Sequence, residues 1–133
     1  MMALAARYIV VLVVLAAGDF LWLSWFAPAV FRPTLGSILL ENPRWSGAVL
    51  FYLLYAAGVL LFPLGLARDW MQAALYGAAF GFLAYMTYEA TNYATLKVWT
   101  ASLALIDTGW GALLTSVAAL AAFLLVQRLP VSL

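Results

Sequence analysis

The chain has 133 residues, 68% hydrophobic and only 8% charged, with a formal net charge of +1. A soluble domain of this size could not hide that much apolar surface, so lipid is the solvent and every backbone polar group must be satisfied within the chain. The small net charge argues against nucleic acid as a partner, and the lack of cysteine and histidine removes disulfides, thiol redox chemistry, His-ligated haem, His-bearing metal centres and Ser-His or Cys-His nucleophiles.

Four apolar runs follow one another, from Arg7 to Arg32, Arg44 to Arg68, Asp69 to Lys97 and Lys97 to Arg128. Each exceeds the ~20 residues a helix needs to cross the hydrocarbon core. Strand-like alternation is absent, which excludes a barrel. The expected fold is all-α: a transmembrane four-helix bundle, one domain over residues 1–133, with a short interfacial segment between helices 1 and 2.

Helix 1 is expected from about Tyr8 to Phe26 or slightly beyond, with Pro28 near its end. Its apolar run is too long for a signal peptide, so it reads as a retained first span. Residues 32–45 form the first connection, and Leu35 to Leu40 suit a short interfacial helix with Pro33 in its first turn. Helix 2 runs from about Ser46 to Leu66 and carries no charge. Arg68-Asp69 makes a tight turn into helix 3, from about Trp70 to Tyr93. Lys97 and Trp99 lie in the next connection. Helix 4 spans about Leu103 to Gln127, and Arg128-Leu129-Pro130 ends it.

Four crossings put both termini on one side. The basic residues divide evenly, with Arg7, Arg68 and Arg128 on that side and Arg32, Arg44 and Lys97 on the other. The positive-inside rule is therefore weak here, and the short N-terminal tail favours cytoplasmic termini. Three of the runs carry one internal acid each: Asp19, Glu89 and Asp107. A carboxylate in such a helix is costly and usually faces the bundle interior at a site of function. In this topology all three acids, with Arg32, Asn92 and Lys97, share the half of the bundle away from the termini. They are expected to converge on one cavity, and at least one is expected to titrate abnormally.

Helix 3 suggests how that half opens. Ala74, Gly77, Gly81, Tyr85, Tyr88 and Asn92 share a narrow stripe, with Glu89 beside it. Its first half is a small-xxx-small series that permits close helix approach; its second half is aromatic and polar. The glycines also fit a plain helix contact or a dimer face. Helices 1 and 4 each carry Asp-x-x-Trp, at Asp19 to Trp22 and Asp107 to Trp110, with acid and indole neighbours on one helix face. Acid–base work and a negative aromatic cage for a cation are both open readings. So are plainer ones: Asp107 as a helix cap, Asp19 in a salt bridge with Arg32 or Lys97, and Lys97 snorkelling to the interface. Trp45, Trp70 and Trp99 sit at expected helix ends, where aromatic belts form.

Several segments resemble an uncharacterised bacterial family of four-helix membrane proteins, a domain of unknown function. The resemblance runs along the whole chain. Its best parts are Asp19-x-x-Trp22-Leu23, Phe31-Arg32 with Leu35-Gly36, Pro43-x-Trp45 with Phe51 to Tyr55, and Asp107-x-x-Trp110-Gly111. Most specific is Tyr88 to Trp99, similar to a pattern Tyr-Asp-x-Thr-Asn-x-Ala-Thr-Leu followed by a basic residue, x and Trp. This chain has Glu89 in place of Asp and Thr100 where Pro is usual. The resemblance implies a multi-pass protein of the bacterial inner membrane and carries over no catalytic residue.

The residues support three readings. In the first, the protein binds, and acts by acid–base chemistry on, a lipid-like or amphipathic small molecule in a polar-aromatic cavity in one leaflet. Asp19, Glu89 and Asp107 are the candidate catalytic acids. Trp22, Arg32, Tyr85, Tyr88, Asn92, Lys97 and Trp110 are the candidate ligand-binding residues. No metal or other cofactor is expected. The partners are membrane lipid, the small molecule itself and a second copy of the chain. The second reading is a proton- or cation-coupled small transporter acting as an oligomer. The third is a structural subunit of a membrane complex.

Overall fold

A computed structural model describes residues 1–128 as four helices joined by three short connections. We number them α1 (Met2–Leu35), α2 (Trp45–Leu66), α3 (Trp70–Thr95) and α4 (Ala101–Arg128). There is no strand among the described residues. The expected stop at Leu129-Pro130 lies outside them.

Helix α1 is longer than expected. It absorbs Ala27 to Leu35, and residues 36–39 form a turn rather than a separate interfacial helix. The reason is local. Pro28 lacks an N–H and clashes with the carbonyl four residues back, which normally kinks or ends a helix. Here the turn before it is wound as a π-helix over Trp22–Phe26, and the Ala27 N–H donates to the Trp22 carbonyl, five residues back. Widening the turn lets the helix carry on past the proline. In α2, Pro63 marks the corresponding break at Phe62, and the last turn continues from Pro63 to Leu66.

The turn into α3 is closed by its own side chains. The Gln72 N–H donates to Asp69 Oδ1 (2.8 Å), and the Arg68 N–H donates to Gln72 Oε1 (2.9 Å). An aspartate at the N-cap satisfies an otherwise orphaned backbone donor. Thr100 has the same role for α4, accepting from the Leu103 N–H (3.2 Å).

Helices α1, α2 and α4 are long and apolar enough to cross a membrane. Helix α3 is more polar, yet its hydroxyls suit lipid. Thr87, Thr91 and Thr95 each donate to the carbonyl one turn back, at 2.6–2.8 Å. Such back-bonding satisfies the three threonine hydroxyls within the helix itself. α3 also lies antiparallel along α4 and therefore at the same depth: Ser116 Oγ donates to the Ala74 carbonyl (2.9 Å), and Gly77 and Gly81 face Thr115.

The main core joins all four helices through small residues. Val11, Leu15, Ala56, Val59, Ala73, Leu114, Ala118, Ala119 and Ala122 are buried there, with Phe123 alongside. A methyl group added at Gly77 meets the Thr115 carbonyl at 2.8 Å and Ala119 Cβ at 2.9 Å. At Gly81 it meets the Gly111 carbonyl and Thr115 Oγ1. The α3–α4 backbones touch there because no side chain separates them. Large apolar groups such as Phe20, Trp25, Leu54, Leu83, Leu105 and Leu113 face outward, as a lipid solvent allows. A second, smaller core packs Leu35 at the end of α1 against Trp99, Leu103 and Ala104.

Candidate functional site

Above the glycine contacts the four helices no longer fill the space between them. At the next turn of the α3 stripe stands Tyr85, and it fits against α4 only because position 111 is glycine: a Cβ there would sit inside the Tyr85 ring. The α2 and α3 backbones adjoin at the Pro63–Leu66 turn and diverge from it. Rings bridge the gap, with Tyr55 5.5 Å from Phe80 and 6.2 Å from Tyr85.

Two cavities occupy the opened region. The larger, about 510 Å³, lies between α1, the first connection, α3 and α4. Asp19, Trp22, Tyr85, Tyr88, Asp107 and Trp110 line its inner part; Arg32 and Glu41 stand among apolar residues of α1 and the connection. The smaller, about 330 Å³, is lined by Phe51, Tyr55, Ala84, Tyr85, Tyr88 and Asp107. The two share Tyr85, Tyr88 and Asp107.

Asp19 is 8% exposed. Its Oδ2 accepts from the Tyr52 hydroxyl (2.7 Å) and its Oδ1 from the Trp110 indole N–H (2.9 Å). Three helices therefore meet on one carboxylate. The donors are neutral, not the Arg32 or Lys97 of a salt bridge. The two Asp-x-x-Trp motifs pair crosswise rather than each within its own helix. Trp110 serves Asp19, while Trp22 lies at the Asp107 carboxyl. The two indoles stack on each other at 4.7 Å and 7°. Residues i and i+3 share a face, and antiparallel packing sets the acid of one helix opposite the indole of the other. Trp22 reaches this position from the π-helical turn.

Glu89 is fully buried, and its Oε2 accepts from the Trp99 indole N–H at 2.5 Å. The Glu89 and Asp107 carboxyls lie against each other, and no N–H or hydroxyl among the described residues donates to Glu89 Oε1. Glu89 lines neither cavity and stands behind Asp107. Asp107 is six residues into α4 and is not its cap. Thr115 completes the network below, donating to the Gly111 carbonyl (2.7 Å) and pairing with the Tyr55 hydroxyl (2.8 Å).

Of the residues singled out from sequence, Asp19, Trp22, Arg32, Tyr85, Tyr88, Asp107 and Trp110 line a cavity, Arg32 as an exposed residue. Asn92 is half-buried one turn beyond Tyr88, and Lys97 is exposed; neither lines a cavity. Trp45 and Trp70 face outward as belt residues do, but Trp99 is only 9% exposed and belongs to the buried network. Tyr52, Tyr55, Phe51 and Trp99 are the participants that sequence reasoning missed. A signal existed for the tyrosines. A phenol tip on a charge-free membrane helix needs a partner as much as Tyr85 does. Among the described residues no three potential metal ligands gather closely enough to hold an ion.

The profile of a family described as "Predicted membrane protein (DUF2177)" matches residues 4–124 of the chain. No curated protein and no solved structure is similar to it.

Proposed function

The chain belongs to this membrane-protein family, and we propose that it binds a lipid-like or amphipathic small molecule in the two joined cavities, with Asp107 as the acid that meets the guest. The observation that carries this reading is the position of Asp107. It is the carboxylate that lines both cavities, together with Tyr85 and Tyr88, and it is backed by a fully buried glutamate. A buried acid that opens onto a ligand-sized space is a candidate site, and a concave pocket with apolar walls and few polar groups suits an amphiphile.

The three acids divide the work. Asp107 meets the guest. Glu89, held by Trp99, is a positioning residue behind it. Asp19 has both oxygens occupied and ties α1, α2 and α4 around the cavity. Trp22 and Trp110 form a stacked wall, and Arg32 offers a cation to an anionic part of the guest.

The test is to purify the full chain in a mild detergent, extract what stays bound and identify it by mass spectrometry. The parent should carry a lipid species enriched over the source membrane. Asp107→Asn should lose that enrichment while melting at the parent temperature. Identical, unenriched lipid profiles from both proteins would remove the binding reading.

A further inference from the structure

The smaller cavity has an unusual wall. Four aromatic rings, from Phe51, Tyr55, Tyr85 and Tyr88, surround a space in which Asp107 is the one charged lining residue among the described residues. The rings brace one another: Phe51 stacks on Tyr55 at 5.2 Å and 29°, and Tyr55 meets Tyr85 edge-on at 78°. Ring faces carry negative potential, so several of them around a carboxylate attract an organic cation. A purely apolar guest has no use for the carboxylate. A neutral polar guest would gain more from hydrogen-bonding groups than from rings.

The charge balance points the same way. Asp19, Glu89 and Asp107 sit within one region, and the donors that serve Asp19 and Glu89 are a phenol and two indoles. Lys97 and Arg32 are exposed, and neither lines the smaller cavity. Glu89 has no exposure and lines neither cavity, but its carboxyl lies against that of Asp107, so a second acid backs the one at the cavity wall. Two carboxyls in contact share a proton, and the negative charge that remains, offset by no basic side chain lining the smaller cavity, favours a positive guest in a low-dielectric setting.

Access is lateral. α2 and α3 diverge beside the cavity, and Phe51 and Tyr88 stand at its edge, 42% and 57% exposed. A head group can enter from the lipid while its chain stays outside.

We propose that the smaller cavity is a receptor for the alkylated ammonium head of an amphiphile, caged by Phe51, Tyr55, Tyr85 and Tyr88 and countered by Asp107. This rests on the reading that the open half binds an amphiphile, and it names the head group. Arg32, in the adjoining cavity, is free to meet an anionic group on the same molecule.

The test is native mass spectrometry of the full chain titrated with lipids of identical acyl chains. Phosphatidylcholine carries a trimethylammonium head, phosphatidylethanolamine a primary ammonium and phosphatidylglycerol no cation; free choline is the soluble control. Phosphatidylcholine should bind roughly tenfold tighter than phosphatidylglycerol, as a desolvated cage would give, with phosphatidylethanolamine between them. Phe51→Ala and Tyr88→Ala, both at exposed edge positions, should each erase most of that preference while the protein still melts cooperatively, with only the small drop a lost ring contact gives. Asp107→Asn should weaken phosphatidylcholine and leave phosphatidylglycerol unchanged. If free choline matches phosphatidylcholine, the cage stands and its ligand comes from solution. Equal, saturable binding of all three lipids, or a preference for phosphatidylglycerol, overturns the ammonium cage and leaves the amphiphile reading intact. No saturable binding of any lipid overturns both.

Discussion

The α3–α4 pair contains two regions built on opposite principles. From Ala73 to Gly81, α3 presents alanine and glycine, and α4 answers with Thr115, Ala118, Ala119 and Ala122. Backbones touch, and the space is full. From Tyr85 to Glu89, rings and an acid occupy the same stripe, and α4 answers with Gly111 and Asp107. Here the bundle holds about 330 Å³ and 510 Å³ of cavity. In lipid no hydrophobic force closes helices against each other, so closeness comes from small residues and satisfied polar contacts. One helix thus makes a rigid base and an open vessel by changing residue size along a single face.

The largest expected effect lies in the closed region. Gly81→Leu drives a side chain into the Gly111 carbonyl and Thr115, which cannot move without parting the helices. Overpacking a close contact typically costs about 1–3 kcal/mol, and a clash with backbone puts this one at the upper end. The melting temperature in detergent should fall sharply. Gly109, on the same helix pair, is open: a Cβ added there meets nothing within 4 Å, so Gly109→Leu should melt like the parent. Equal behaviour of the two variants would break the comparison, because the glycine stripe would then face lipid.

A middle-sized effect tests whether the acids of the open region are held or merely present. Trp99→Phe keeps a ring in the smaller core with Leu35 and Leu103 but removes the N–H that serves Glu89. A buried carboxylate oxygen losing its donor costs about 1–3 kcal/mol. Trp45→Phe, at an outward-facing ring, is the control and should be neutral. If both variants melt alike, Trp99 acts as a belt residue and Glu89 finds its support elsewhere.

Much of this division is legible in the residues. Runs of apolar length give four helices, and the change from Gly77 and Gly81 to Tyr85 and Tyr88 marks where packing loosens. Helix ends are less legible. Pro28 normally stops a helix, and nothing local announces that Trp22–Phe26 will widen into a π-turn and carry α1 on to Leu35. Partner choice is less legible still. Asp19 and Trp22 are neighbours by spacing, yet the acid is served by Trp110 and Tyr52 from two other helices. Spacing along one helix fixes a face, and only packing decides what meets it. Trp99 shows the same limit: a tryptophan past a helix end reads as a belt residue until the end of α1 covers it.

The smallest effect sharpens the comparison at the join between the regions, where Asp19 ties α1 to α2 and α4. Tyr52→Phe removes one of its two donors and leaves Trp110 in place. Tyr52 lines neither cavity, so lipid retention should hold. Loss of one hydrogen bond to a charged group costs about 1.5–3 kcal/mol when nothing replaces it, and about 1 kcal/mol where the site relaxes. Asp19 is not fully enclosed, so the lower figure is expected. A double-mutant cycle with Asp19→Asn separates this bond from any other consequence of the tyrosine change. If Asp19 is a tie, the two substitutions should be strongly non-additive, since either one breaks the same contact. If instead Tyr52→Phe leaves stability untouched but empties the protein of lipid, the hydroxyl serves the guest, and Asp19 joins Asp107 on the binding side of the site.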